Sequence, residues 1–424
     1  DADAFLCENG ALLAESQRFS RENQLVTLDV DLETLVRERL STNSFGDCSR
    51  EARKPFRRIP FQVAREAQGA LQRPVARHPF LPSDPATLAT RCWEIFEIQT
   101  NALATRLEAI GNTRMVLGST HAALVAAGAL DLLGASRKDL ICVTMPGLGT
   151  TPGTRGNAAK LSEALGGTFR EVGISELSLE VLQAVSHPAA ADAADVNGLL
   201  ATLREDPSLG DVTLENAQAR LRTLVLMTYA NQDCGLVLGT GDLSEKALGW
   251  STYNGDHIAM YDINCSVPKT LIQFVIRWVA NERVQTWEGE TEVLREVLFS
   301  VLDTPISPEL LPADPEGEIA QLTESVIGPY ELHDFFLYHF VRRGARPARI
   351  LDLAQVAFGS DYDLETLKKW LHLFLRRFFH NQFKRSCTAD GPKVGTVALS
   401  PRGDWRMPSD AVVRGWLDEV AAYA

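Results

Sequence analysis

The 424-residue sequence has no Cys-x-x-Cys, no His-Glu-x-x-His and no long apolar run, and each absence closes off a class of protein. Its seven cysteines, at 7, 48, 92, 142, 234, 265 and 387, are odd in number and widely spaced. Neither a disulfide framework nor a zinc knuckle is expected, and a reducing, cytoplasmic compartment fits. The eight histidines show no His-Glu-x-x-His, and His333 and His339, near aromatic residues in an amphipathic segment, are expected in packing or surface roles rather than as metal ligands. The apolar run Ala122 to Leu130 meets Asp131 and is far too short to cross a bilayer, so no membrane partner is expected. A basic excess is lacking too. Lys and Arg total 42 against 55 Asp and Glu, a net charge of -13, which argues against a nucleic-acid partner while leaving room for a small anion in a local basic pocket. No signal peptide is visible, and a chain that begins with Asp1 rather than methionine is expected to have its natural start upstream.

With 45% hydrophobic and 23% charged residues, the chain has ample material for globular cores, and its length suggests two or three domains. Residues 1–50 read as the end of a domain. A strand is expected at Ala4 to Cys7, a turn at Glu8-Asn9-Gly10, a second strand at Leu25 to Val30, and a helix from Leu32 to Leu40. Residues 51–83, rich in Pro and Arg, read as a linker, and Ser83-Asp84-Pro85 as a helix start. Strands are then expected at Arg114 to Leu117, Leu140 to Val143, Thr168 to Val172 and Leu236 to Leu238. Helices are expected at Ala122 to Leu133, Asn157 to Leu165, Leu177 to Val185 and Leu214 to Ala230. Such alternation predicts an α/β fold, a doubly wound parallel sheet with helices on both faces. The Ala-rich Pro188 to Asp195 reads as a mobile insertion, and residues 305–424 as a helical, aromatic C-terminal part.

The run from Gly235 to Asp256 carries the most chemistry. An apolar strand, Leu236 to Leu238, breaks at Gly239 and Gly241 into a loop bearing Thr240, Asp242, Ser244 and Glu245. The turn Trp250-Ser251-Thr252-Tyr253 follows. Ligand sites of open α/β sheets form where strands stop in this way. Each residue also has a purely structural reading. Glu245 suits a helix cap, Asn216 a helix start, Trp250 and Tyr253 a core, and Lys384 and Arg385 a solvated surface.

Taken with three other stretches, this run resembles the synthetase part of glutamine-dependent NAD synthetases, within the ATP-pyrophosphatase (adenine nucleotide alpha-hydrolase) superfamily, from about residue 78 onward. The other stretches are Met145-Pro-Gly-Leu-Gly-Thr-Thr151 with Thr154 and Asn157-Ala158; Asp211 to Asn216 with Gln218 and Arg222-Thr223; and Gln382 to Ser386 with Asp390-Gly-Pro-Lys393 and Ser400 to Trp405. Residues 1–50 resemble the C-terminal end of the nitrilase-like α/β glutaminase domain that precedes the synthetase in that family. On that basis 84–424 is the synthetase domain, with 84–304 the nucleotide-binding α/β core.

The resemblance implies that ATP adenylates the carboxylate of deamido-NAD and that ammonia then displaces AMP to give NAD. Magnesium and cations would neutralise the phosphates. It implies ATP contacts at Gly118, Ser119, Thr120, Met145 and Thr240. Deamido-NAD contacts are implied at Asn216, Glu245, Trp250, Ser251, Thr252, Tyr253 and Lys384, with Glu245 also a magnesium ligand. It implies a homo-oligomer and an ammonia supply from glutamine, whose hydrolysing Cys, Glu and Lys belong upstream of the match; Cys7 has no catalytic assignment. The sequence departs from the family in one place. The superfamily loop Ser-Gly-Gly-x-Asp-Ser is missing its glycine pair and Asp, and Met115-Val-Leu-Gly118 runs straight into Ser119-Thr120-His121. Loss of that loop should severely impair adenylation. It motivates one alternative, a non-catalytic dinucleotide-binding or assembly subunit; a GMP- or asparagine-synthetase type of amidotransferase is another.

Overall fold

The computed structural model describes residues 3–52, 54–61, 71–82, 84–150, 152–287, 291–304, 310 and 323–423, with main chain alone at 152–154. Thr151 and Ser83 lie outside the described residues, as does the side chain of Thr154. Contacts divide the chain into two compact units. One comprises Asp1–Pro79, Phe335–His372 and Arg414–Ala424; the other comprises Phe80–Asp334 and Leu373–Val413. The boundaries expected at 50 and 83 follow composition, whereas this division follows packing.

In the first unit, strands β1 (Phe5–Glu8) and β2 (Ala11–Glu15) form an antiparallel hairpin. Its two-residue turn is Asn9-Gly10, with φ of 50° and 82°, the left-handed pair that a tight hairpin requires. The second strand is Ala11–Glu15, whereas the expected strand Leu25 to Val30 has no strand structure. Asp29 is held instead by Gln72, through a main-chain bond of 3.1 Å and a side-chain bond of 2.6 Å. Alternation of apolar and polar residues marked that segment, but it pairs with no strand among the described residues. The helices α1 (Leu32–Ser41) and α2 (Asn43–Glu51) follow. Arg73, in the expected linker, grips the buried Glu8 carboxylate with bonds of 2.9 and 3.1 Å, so part of that linker is a structural anchor.

The second unit is built on a parallel sheet. In chain order it contains α3 (Pro85–Ile110), β3 (Met115–Leu117), α4 (Thr120–Leu132), β4 (Leu140–Thr144), α5 (Pro152–Ala164), β5 (Thr168–Glu171), α6 (Ser175–Ala184), α7 (Val196–Glu205), α8 (Val212–Gln232), β6 (Leu236–Gly239), α9 (Leu243–Leu248), β7 (Tyr261–Asp262), α10 (Lys269–Trp278) and α11 (Thr291–Asp303). The strand order is β5-β4-β3-β6-β7, with every pair parallel. Alternate residues face opposite ways, as the two-residue period of a strand demands. Met115, Leu117, Leu140, Cys142, Leu236 and Leu238 join one core, and Val116, Ile141, Val143 and Val237 join another with Ala230 of α8. Apolar residues on both faces are what a parallel sheet covered by helices on each side requires. The doubly wound expectation holds.

Ala189, Ala190 and Ala193 are buried in a third cluster with Leu182, Leu199 and Leu203. The expected mobile insertion at 188–195 is therefore a packed corner; its small side chains fit close-packed helices. Helices α12 (Thr323–Ile327), α13 (Tyr330–Leu337), α14 (Pro347–Phe358), α15 (Leu364–His380), α16 (Gln382–Arg385) and α17 (Arg414–Ala422) make up the helical C-terminal part. His333 and His339 are both packed against aromatic rings, at 6.1 Å from Phe374 and 4.3 Å from Phe335 respectively. Among the described residues no helix is long and apolar enough to cross a membrane.

Candidate active site

In the sheet, β3, β4 and β5 step outward in one direction and β6 and β7 in the other, so the topological switch falls between β3 and β6. Ligands of open α/β sheets bind beyond the carboxyl ends of strands at such a point. Gly118, Ser119 and Thr120 follow β3 there, Met145 follows β4, and Thr240 follows β6. The five expected nucleotide residues thus sit at the ends of three adjacent strands. Only Gly118 and Ser119 separate β3 from α4, and Ser119 makes no side-chain capping bond. The first N–H groups of α4 lie at the switch point without a cap from Ser119, an arrangement that attracts anions.

Behind this end runs a buried polar relay. Asn264 donates to the Thr240 carbonyl (3.3 Å) and accepts from Gln99 Nε2 (3.1 Å), and its Oδ1 lies 2.9 Å from His121 Nδ1. Because that oxygen accepts, His121 donates. Burial drives the histidine pKa down to about 4, so it is neutral. The relay ties the start of α4 to the loop after β6.

The helix α9 carries the next group. Asp242 caps it, accepting from Glu245 N (2.8 Å), while Glu245 Oε2 accepts from Asp242 N (3.0 Å): a reciprocal capping box. The structural reading of Glu245 is therefore true, yet its other oxygen is 2.7 Å from Lys269 Nζ, which also lies 2.7 Å from Asp242. Burial and the neighbouring Glu245 charge push the pKa of Asp242 upward, and Lys269 opposes them. Burial alone would lower Lys269, but the two carboxylates override it and hold the ammonium charged. Below them the buried Asp334 accepts from Ser244 Oγ and from Thr270 N (3.1 Å) and Oγ1 (2.6 Å). Burial lifts Asp334 to about 6 despite these bonds.

Among the described residues no cluster of three or more His, Cys, Asp or Glu side chains could hold a metal ion. Glu245, the implied magnesium ligand, has its side chain 24% exposed. One carboxylate at a rim suits magnesium, which takes most of its ligands from water and phosphate.

At the other end of α9, Gly249 is left-handed (φ 59°), and a Cβ there would lie 2.2 Å from Asn381. The turn Trp250–Tyr253 follows. Thr252 Oγ1 donates to Asn216 Oδ1 (2.7 Å), Arg220 donates to the Tyr253 carbonyl (3.2 Å), and Tyr253 stacks on His257 (5.0 Å). Lys384 Nζ donates to the carbonyls of Gly249 (2.8 Å) and Ser251 (2.6 Å). Burial and Arg377 lower its pKa. Asn216, Ser251, Thr252, Tyr253 and Lys384 are thus brought together. Trp250 is half-buried beneath the Arg377 guanidinium, 5.0 Å from its ring. Tyr253 is exposed, so neither aromatic is a core residue. Arg385 is not a solvated charge but a buried one, 1% exposed. Sequence reasoning passed over Lys269, Asp334, Arg377 and Asn381. The four-residue spacing of Arg377, Asn381 and Arg385 is a signal in the sequence, that of one helical face, although the structure breaks the helix at Asn381, between α15 and α16.

Residues 95–281 match the NAD synthase family. Over 99% of its length the chain is 42% identical to the glutamine-dependent NAD(+) synthetases of Mycobacterium leprae and Mycobacterium tuberculosis (strain H37Rv), and it spans 63% of each of those proteins. A crystal structure of a glutamine-dependent NAD(+) synthetase from Cytophaga hutchinsonii superimposes with a TM-score of 0.58 at 17% identity, covering 78% of this chain and 56% of that one. At that identity it supports the fold alone.

Proposed function

We propose that this chain, whose residues 95–281 match the NAD synthase family, is the ligase part of an enzyme that amidates deamido-NAD to NAD at the expense of ATP. The carboxylate of the pyridine ring attacks the α-phosphate of ATP, pyrophosphate leaves, and ammonia then displaces AMP. Glutamine supplies the ammonia in the whole protein. The observation that carries this reading is the placement of two differently charged binding elements at the two ends of one short helix. The N-terminal end of α9, with Glu245 and Lys269, lies in the loop after β6 at the switch point, and its C-terminal end leads into the Trp250–Tyr253 turn.

Each residue has a task that its chemistry suits. The uncapped N–H groups of α4 with Ser119 and Thr120, the Thr240 hydroxyl and the Met145 loop take the triphosphate and its nucleoside. Lys269, released from its carboxylates, offsets phosphate charge. Glu245 would hold magnesium, which supplies further neutralisation of the attacked phosphate. Asn216, Ser251 and Thr252 hydrogen-bond the dinucleotide, Trp250 and Tyr253 offer faces for its ring, and Lys384 neutralises its negative charge. Proximity of two bound substrates is the main catalytic resource here, since it turns a bimolecular step into a local one.

Incubation of the chain with ATP, magnesium, ammonia and deamido-NAD tests the proposal. NAD and AMP should appear in equal amounts. Deamido-NAD binding with no AMP would contradict it and favour a binding role, the alternative that the missing Ser-Gly-Gly-x-Asp-Ser loop motivates.

A further inference from the structure

Arg385 is a fully buried cation that forms no ion pair with a carboxylate among the described residues. Its guanidinium donates to the carbonyls of Lys246 (3.1 Å), Ala247 (3.1 Å) and Phe378 and to Gln382 Oε1 (3.1 Å), and it lies 4.2 Å from the Phe378 ring centre. Burial is the sole cause acting on its pKa, which it lowers, but a guanidinium stays cationic in a protein. A buried charge without a counter-ion is costly, so its compensation must come from elsewhere. Here it comes from main-chain dipoles, since Lys246 and Ala247 lie in the last turn of α9 and Phe378 in the last turn of α15.

The neighbours of Arg385 extend the pattern. Arg377 donates to Leu248 O (2.9 Å) and Gly249 O (3.4 Å), Asn381 to Leu248 O (3.3 Å), and Lys384 to Gly249 O and Ser251 O. The carbonyls of 246, 247, 248, 249 and 251 are therefore all taken by side chains of 377–385. A six-residue helix has little stability of its own, so its position is set by these contacts.

We propose that Arg385 is a positioning residue for dinucleotide binding: it seats the C-terminal end of α9 and so fixes the Trp250–Tyr253 turn, without touching the substrate. The inference rests on the reading of that turn as the deamido-NAD contact. The N-terminal end of α9 is held independently by its capping box and Lys269, so the effect is confined to one end.

Two variants of the full chain test this, Arg385→Lys and Arg385→Met, with amide hydrogen exchange and deamido-NAD binding as readouts. Lysine keeps the charge but has no planar fork to span three carbonyls. Exchange at residues 250–255 should quicken about tenfold or more in both variants while residues 242–245 stay unchanged. Deamido-NAD affinity should fall about tenfold, with the KM for ATP within twofold. Exchange that quickens uniformly, or not at all in the turn, would overturn the proposal. Should either variant fail to fold, Gln382→Leu removes the acceptor that aims Arg385 and should give the same local pattern more weakly; a uniform change there overturns the proposal too. A wild-type chain that binds no deamido-NAD refutes the proposed function, while the exchange pattern still decides the role of Arg385.

Discussion

The two ends of α9 obey the same electrostatics and are built in opposite ways. At the N-terminal end two carboxylates meet the positive end of the helix, and at the C-terminal end three cations meet the negative end. The first arrangement is local, because Asp242 and Glu245 cap each other across three residues and Lys269 follows soon after. The second is assembled from side chains that lie 128 to 139 residues further along. The difference teaches where the site is vulnerable. The N-terminal end, the proposed phosphate side, depends on residues close in sequence, whereas the C-terminal end, the proposed dinucleotide side, depends on the folding of a distant segment.

Substitutions should expose that asymmetry. The largest effect is expected from Glu245→Gln, which keeps the capping acceptor but removes the charge. AMP formation should fall by roughly 10²–10³-fold while the melting temperature barely moves, and turnover at the wild-type rate would dissolve the proposed role of that end. Next is Gly249→Ala, which combines a left-handed φ with a collision against Asn381. A loss on the order of 3 kcal/mol in urea unfolding is expected, and a loss under 1 kcal/mol would mean that the C-terminal seat is loose. Lys384→Ala should raise the KM for deamido-NAD about tenfold, roughly the 1.4 kcal/mol of one charge-assisted contact, with the KM for ATP unchanged. A rise in both constants would remove the distinction between the ends.

The smallest effect concerns pH and the N-terminal end. The Asp334 pKa of about 6 lies above the ordinary 3.8, so the folded state keeps a proton that the unfolded chain has lost. The contribution of its protonated form is fully present below pH 4 and lost as the pH rises through 6. Relative to wild type, Asp334→Asn should therefore gain melting temperature between pH 5 and 7.5, by about 1–3 °C. A difference that does not change with pH would show that Asp334 is already ionised at pH 5.

The same asymmetry decides what was legible in the sequence. The strands β3, β4 and β6 were readable because apolar residues on both faces leave a continuous run. Gly239 and Gly241 announced the strand end, and Asp242 with Glu245 three residues on is a helix-start pattern. The C-terminal end left almost no trace. Nothing near Arg385 says that it is buried, since its compensation consists of carbonyls, which carry no sequence signature. Lys269 likewise gains meaning only when α10 is laid beside α9. Leu25 to Val30 misled because alternation reports a half-buried face but not a strand partner, and Pro188 to Asp195 because small residues suit a tight corner as well as a loose one.

Exchange of labelled pyrophosphate into ATP in the absence of ammonia tests the central claim most directly, because it reports adenylation alone. Exchange should require deamido-NAD, vanish in Glu245→Gln, and persist in Lys384→Ala at higher deamido-NAD concentration. Exchange that proceeds without deamido-NAD, or survives undiminished in Glu245→Gln, would contradict that claim.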